Sequence, residues 1–418
     1  MSALTRRKLL EDGVSSLCAA GGAALLSAGL VNLAFAEDAP GDILVIVFLR
    51  GGWDGLTFAP PLEGPDRAAY EAARPKLALP AKGPHAALPA GADFGLHPEA
   101  APLRELYQAG RLAIVRAAGL TVDTRSHFDA QAYMDLGTPG HRAGSSGWIA
   151  RHLLGRAGEG SFLTAAAIGR FAPTSLLGYE KTAIVGQTDG FVEGFNIGGV
   201  EPGAQADALR SLYAGDGWLS RYGAGTLEAI EGFAKAAGAV KPAGEGYPSG
   251  GVGGSFRSLA QIVRLDLGLR VATIDVDGWD THEYQGEEGR GRFGDLVGQL
   301  SRSLAAFHAD MARDRGRRVT VVVMSEFGRR LQENASVGTD HGHGTVMLAL
   351  GDGIAGGKAY GRWPGLDGDN LYQRADLAVA TDYRLVLSEI LSKRLGERRL
   401  SEVFPDFAGG EPLGLASA

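Results

Sequence analysis

Five short polar stretches hold most of the side chains in this sequence that could do chemistry. They are Arg50-Gly51-Gly52-Trp53-Asp54-Gly55, Thr124-Arg125-Ser126-His127-Phe128-Asp129, Asp277-Gly278-Trp279-Asp280-Thr281-His282, Ser325-Glu326-Phe327-Gly328-Arg329-Arg330 and Thr339-Asp340-His341-Gly342-His343-Gly344. The chain has nine histidines, and four of them (His127, His282, His341 and His343) fall in these stretches, which favours a site. Carboxylates and imidazoles together suit a divalent ion such as Zn or Mn, whereas an all-oxygen set would suit Mg or Ca better. Asp280-x-His282 and Asp340-His341-x-His343 have spacings that let one loop present two ligands. The candidate metal ligands, for one or two ions, are Asp54, Asp280, His282, Glu326, Asp340, His341 and His343. Ser126 is the candidate nucleophile. Arg50, Arg125 and Arg329 are candidates to bind an oxyanion, because a guanidinium fork matches its oxygens. Each residue also has a plainer reading. Asp54 caps a turn, Ser126 caps a helix and His127 is a hydrogen-bonded histidine. Glu326 and Arg329 form an ion pair under the rim, and Trp53 and Trp279 are packing walls.

Apolar runs precede or follow each polar stretch. Ile43 to Leu49, Leu112 to Val115, Val271 to Val276, Val319 to Met324 and Val346 to Leu350 are nearly continuous rather than alternating. That pattern predicts parallel strands buried on both faces. Helical periodicity lies between them, over Pro98 to Gln108, Phe256 to Leu267, Phe293 to Ala312 and Asp382 to Leu395. Alternating strands and helices predict an α/β fold, a doubly wound and mainly parallel sheet with helices on both faces. Ligands of such sheets bind beyond the carboxyl ends of the strands, which is where the polar stretches fall. Gly155 to Gly254 is glycine-rich and weakly periodic. It reads as an insertion or cap over the sheet edge within a single domain running from residue 37 to 418.

At 45% hydrophobic and 21% charged, the composition is that of a globular protein with ample material for a core. The net charge of -7, with no basic patch interleaved with aromatics, argues against a nucleic-acid partner. Thr5-Arg6-Arg7-Lys8-Leu9-Leu10 is a twin-arginine pattern. A Gly/Ala-rich apolar stretch follows it, and Ala34-Phe35-Ala36 fits a small-x-small cleavage rule. Residues 1–36 therefore read as an export signal served by the twin-arginine machinery, with a periplasmic or secreted product and no stable membrane insertion after cleavage. The single cysteine, Cys18, lies inside that signal, so the mature chain has no disulfide and no thiolate metal site.

Taken together, these motifs resemble the bacterial family known as domain of unknown function 1501. The matching segments are Phe48 to Gly55, Arg125-Ser126-His127-Phe128, Trp279 to His282, Ser325 to Arg329, Gly338 to Gly344, Gly356-Gly357 with Tyr360-Gly361, and Thr381-Asp382-Tyr383-Arg384. That family in turn resembles the alkaline phosphatase and sulfatase superfamily, which implies an alkaline-phosphatase-like fold with one or two metals at the carboxyl rim. By that resemblance Asp54 would bind metal as the first-strand aspartate. Ser126, or secondarily Thr124, would be the nucleophile opening the next helix. Asp280 and His282 would belong to the other metal site, and His341 or His343 would complete it. Two departures stand out. Phe327 falls where the superfamily has His or Asn, and Asp280 and His282 are two residues apart where alkaline phosphatases place theirs four apart.

The function implied is an exported, metal-dependent hydrolase of phosphate or sulfate esters acting on a small-molecule or polymer substrate. Two alternatives stay open. One is a non-catalytic exported protein that binds a metal or an anion on the same fold; the other is a different metal-dependent chemistry, such as phosphoryl transfer or isomerisation.

Overall fold

An apolar strand without alternation needs cover on both faces, and Ile43–Leu49 has it. Val45, Val47 and Leu49 enter one hydrophobic core while Leu44, Ile46 and Phe48 enter another on the opposite side. The computed structural model describes residues 24–26, 42–142, 144–155, 163–186, 202–215, 217, 220, 243–314 and 318–417. The twin-arginine pattern, Cys18 and the Ala34-Phe35-Ala36 site lie outside the described residues. Among those that are described, no helix is long and apolar enough to cross a membrane.

Among the described residues the sheet has ten strands: β1 (Ala24–Leu26), β2 (Ile43–Leu49), β3 (Leu112–Gly119), β4 (Ala165–Ile168), β5 (Thr182–Val185), β6 (Val271–Val276), β7 (Val319–Met324), β8 (Thr345–Leu350), β9 (Ala359–Tyr360) and β10 (Thr381–Asp382). Their order is β1-β5-β4-β6-β2-β7-β8-β3-β9, with β10 also paired to β3. The helices that matter for the site are α1 (Gly64–Ala73), α2 (Ala101–Gln108), α3 (His127–Leu136), α4 (Trp148–Leu154), α5 (Gly251–Leu265), α6 (Arg292–Asp314) and α7 (Tyr383–Leu395). Helices α2, α5 and α6 pack on one face; α3, α4 and α7 pack on the other. In α6 the expected stripe is real: Leu300, Leu304, Phe307 and Met311 are all buried, three or four residues apart. Asp382 caps α7 by accepting the N–H of Arg384 at 2.8 Å, and Gly396 ends it in the left-handed conformation.

Two expectations change. The run Val346 to Leu350 reads as a parallel strand, but β8 is antiparallel to both β7 and β3. No helix lies between Met324 and Thr345, and without a crossover an adjacent strand has to return antiparallel. The reversal brings the stretches on either side of that loop to the same rim, which is why residues preceding β8 stand beside residues following β2, β3, β6 and β7. The second change concerns 155–254. Its described part is more than a cap, because β4 and β5 extend the sheet in parallel beyond β6. Ala165–Ile168 is mostly alanine, so it lacks the β-branched signature that marks strands in a sequence.

His97 lies where the loop before α2 meets α6. It is fully buried, its Nδ1 accepts the N–H of Glu99 at 3.1 Å, and its ring stands edge-on to Phe293 at 5.8 Å. Burial pushes its pKa down to about 4, so folding favours the neutral ring. Its contribution to stability is complete above about pH 6.5 and is lost as pH falls toward 4, a change of about 3 kcal/mol. Urea denaturation of the wild type and His97→Asn, which keeps a cap acceptor, should show the wild type losing about 2 to 3 kcal/mol more between pH 7 and 4.5. Equal losses in the two proteins would remove His97 from the account.

Candidate metal centre

The rim is built from backbones that touch. Gly51 and Gly52 follow β2 with φ of +122° and +70°. A Cβ on Gly51 would stand 2.4 Å from the amide nitrogen of Asp280, and one on Gly52 would stand 2.5 Å from the ring of Phe327. Only glycine lets the loop after β2 approach the loops after β6 and β7 this closely.

Arg329 ties those loops together. Its side chain is fully buried. Nε donates to Gly52 O at 2.6 Å and Nη1 to Thr339 O at 2.7 Å, while Nη2 donates to Gly51 O, to Trp279 O at 3.1 Å and to Asp280 Oδ1 at 2.6 Å. These five acceptors come from three loops. The expectation that Arg329 binds a substrate oxyanion is therefore corrected, because its donors are already spent on the protein. Burial disfavours the charge of Asp280, but the hydrogen bond and charge of Arg329 outweigh it and hold the pKa down to about 2.

Three histidines gather around Asp280. His341 Nε2 lies 3.2 Å from Asp280 Oδ1, His282 Nε2 lies 3.1 Å from the same oxygen, and His127 Nε2 lies 3.5 Å from Oδ2. Ligand atoms of His127, Asp280 and His341 all fall within 4.8 Å of one another. The second nitrogen of each ring is tied. His127 Nδ1 is 2.8 Å from Glu326 Oε1, His282 Nδ1 is 3.0 Å from Asp340 Oδ1, and His341 Nδ1 is 2.7 Å from Arg125 O. A carbonyl or an ionised carboxylate only accepts, so each neutral ring carries its proton on Nδ1 and turns a bare Nε2 toward Asp280. Nε2 of His282 and Nε2 of His341 are 2.8 Å apart, where two lone pairs repel unless a proton or a cation lies between them. His127 Nε2 is buried and makes no hydrogen bond. Metal-ligating histidines are held in this way, the far nitrogen fixed by an acceptor and the near one left free. Three imidazoles and a carboxylate are a donor set that fits Zn or Mn.

The hydrogen bond to Glu326 raises the pKa of His127, while burial lowers that of His341. Glu326 is fully buried, and its oxygens are taken up by the protein around the cluster, which corrects the expectation that it is a metal ligand. Its Oε1 accepts from Gly51 N, Gln131 Nε2 and His127, each at 2.8 Å, and its Oε2 accepts from Ser325 Oγ at 2.9 Å. Asp340 serves His282 in the same way and also accepts from Asn334 Nδ2 at 3.2 Å.

The remaining candidates lie elsewhere. Asp54 is corrected as a ligand: it is fully buried and its oxygens accept from Arg74, Thr57 and Gln285. The amide of Gln285 then accepts from Thr281 at 2.9 Å and Thr339 at 2.8 Å, so Asp54 braces the two loops that carry His282 and Asp340. His343 is also corrected. Its buried ring stacks on Tyr372 at 4.2 Å, away from the other three. The expected substrate role of Arg50 is corrected too, because its guanidinium covers the Phe48 ring and pairs with Asp135 and Asp275. Burial leaves Asp135 with a pKa raised to about 6 despite that pairing. Ser126 Oγ caps α3 by accepting the N–H of Asp129 at 3.3 Å, one residue before His127. Trp53 and Trp279 are buried and meet edge to face at 5.7 Å, as packing walls do. Phe327 lies under the cluster, 4.9 Å from the His127 ring and 4.8 Å from the His341 ring. Sequence reasoning left His127 out of the candidate ligands and missed Gln131, Asn334 and Gln285 altogether. Gln131 sits one helical turn after His127, and that spacing was the available signal.

Residues 254–397 match the family described as Protein of unknown function (DUF1501). No curated protein matches the chain. Among solved structures it is similar to the lipoteichoic acid synthase LtaP from Listeria monocytogenes, at 11% identity and a TM-score of 0.34, covering 81% of this chain and 71% of that one. It is also similar to the C-terminal periplasmic domain of EcEptC from Escherichia coli in complex with Zn, at 9% identity, a TM-score of 0.34 and coverage of 78% and 76%. A protein in the alkaline phosphatase superfamily from Vibrio parahaemolyticus is similar at 11% identity, a TM-score of 0.31 and coverage of 85% and 71%.

Arg329→Met should keep much of the side-chain volume and remove every donor. It strands four buried carbonyls and takes the partner from the half-exposed Asp280, so chemical denaturation should show a loss of about 3–5 kcal/mol, most of it from the carbonyls. A loss below about 1 kcal/mol would mean that the carbonyls find other partners.

Proposed function

We propose that this chain is an exported hydrolase of phosphate or sulfate esters that uses one divalent metal, held by His127, His282, His341 and Asp280. The observation that carries the reading is the convergence of three imidazole Nε2 atoms on one carboxylate, with every Nδ1 tied to an acceptor. When bound, such an ion stabilises the oxyanion of the ester and lowers the pKa of the attacking hydroxyl.

The chain's own residues do the rest. Ser126 brings a hydroxyl to the start of α3, next to His127. The free amides of that helix terminus favour an anionic group beside it. Glu326 and Asp340 keep the Nδ1 protons of His127 and His282 in place, while Arg329 keeps Asp280 ionised. The Phe327 ring closes the floor to water. Asp54 is enclosed by Arg74, Thr57 and Gln285, and that supports one metal rather than two.

Phe327 also favours a second reading, a non-catalytic protein that binds a metal or an anion. Its apolar ring packs against His127 and His341 and offers no donor to an ion, and the Ser126 hydroxyl already has a capping role.

Protein folded and exported in its own host should contain about one Zn or Mn per chain by elemental analysis. Chelation should abolish turnover of aryl phosphates or sulfates and metal should restore it. Ser126→Ala should keep the metal and lose turnover, by roughly 10²-fold or more. A wild type that retains metal but turns over no ester would establish the binding reading instead. A wild type with no metal, and with no activity on adding one, would end both.

A further inference from the structure

The three histidines are not anchored alike. His127 and His282 lean on carboxylate side chains, but His341 leans on the main chain, donating from Nδ1 to Arg125 O. Its orientation therefore follows wherever the backbone at Arg125 is placed. That stretch lies between β3 and α3 and belongs to neither element.

A clamp fixes it. The guanidinium of Arg125 donates to Asp376 Oδ2 at 2.5 Å and to Gln373 Oε1 at 2.9 Å. The amide of Gln373 in turn donates to Asp123 Oδ2 at 2.9 Å, so the chain is gripped on both sides of Thr124. Asp376 is fully buried and closes its own turn through paired backbone bonds with Tyr372. Gln373 and Arg374 both adopt positive φ, +51° and +56°, without being glycines. Backbone strain of this kind persists where surrounding contacts over-determine it, and it collects at functional positions. On its other side Asp376 faces Arg330, whose backbone N–H donates to Asp340 O at 3.0 Å. One buried carboxylate thus stands behind both the His341 anchor and the Asp340 loop.

We propose that Arg125, held by Asp376 and Gln373, is a positioning residue that fixes the orientation and tautomer of His341 for metal binding. The inference rests on the reading that the centre holds a divalent ion. The guanidinium is directed at Asp376 and Gln373, and the residue acts on the centre through its carbonyl.

The test is titration of full-length chain with Zn(II) against a competing chelator, together with the Co(II) absorption spectrum and the melting temperature. Arg125→Ala keeps the carbonyl but releases the backbone that aims it, so it should bind Zn(II) more weakly, by up to the roughly 10- to 100-fold that losing an outer-shell partner of a ligating histidine costs, and should change the Co(II) spectrum. Arg125→Lys, which can still reach Asp376, should recover part of the affinity. A purely structural role would lower the melting temperature and leave affinity and spectrum of the folded protein unchanged, and that result overturns the proposal. Should Arg125→Ala not fold, Gln373→Ala removes an exposed arm of the clamp. A smaller loss of affinity in the same direction supports the proposal, and wild-type affinity overturns it. A wild type that takes up neither ion ends the metal reading itself, whereas wild-type binding with unaffected variants ends this inference alone.

Discussion

One buried guanidinium carries the rim of this sheet. Arg329 sits where the loops after β2, β6 and β7 meet, and it satisfies backbone carbonyls that would otherwise be stranded away from water. An arginine can do this because its donors lie in a fixed plane, and a lysine could not serve acceptors from so many directions. The charge is balanced by Asp280, the same carboxylate around which the histidines gather. The structural tie and the candidate centre therefore share an atom: Asp280 Oδ1 accepts from Arg329 and stands beside His282 and His341. Altering the tie alters the electrostatics of the centre, and neither can be tuned alone.

A second network works beneath the first. Asp54, Thr57, Arg74 and Gln285 form a closed group in which nearly every polar atom has a partner. Through Gln285 it reaches Thr281 and Thr339, each next to a residue of the cluster. The aspartate that follows the first core strand thus acts as a brace. Phe327 makes the complementary change from the other side, putting an aromatic floor under His127 and His341.

The fold was largely legible in the sequence. Ile43 to Leu49, Val271 to Val276 and Val319 to Met324 are nearly continuous apolar runs, the second interrupted by Asp275, and each is a strand over those same residues. The direction of β8 was not legible, because pairing direction depends on the connection and carries no local signature. Nor were β4 and β5, whose short runs lie in glycine-rich surroundings. At the site, residue type and loop position brought out Asp280, His282 and His341, because charged and imidazole side chains next to strand ends stand out. They could not separate the side chains that gather at the cluster from those that brace it. Asp54, Glu326 and Arg329 are as polar as Asp280, and only their burial and partners show where their lone pairs or donors go. His127 had a bland local context, and its free Nε2 is a fact of three dimensions.

The close approach at Gly51 has a bearing on how the molecule is made. Gly51 meets Glu326 across 275 positions of sequence, and Gly52 meets Arg329 across 277. Contacts this remote form only after the intervening chain has collapsed, since the entropy of closing so long a loop must be offset by much of the core. The pairing of β2 with β7 is equally remote, so rim and central sheet depend on the same closure, and a nascent chain that lacks β7 and the loop after it cannot display the rim. Any molecule that recognises the finished rim thereby distinguishes mature copies from immature ones.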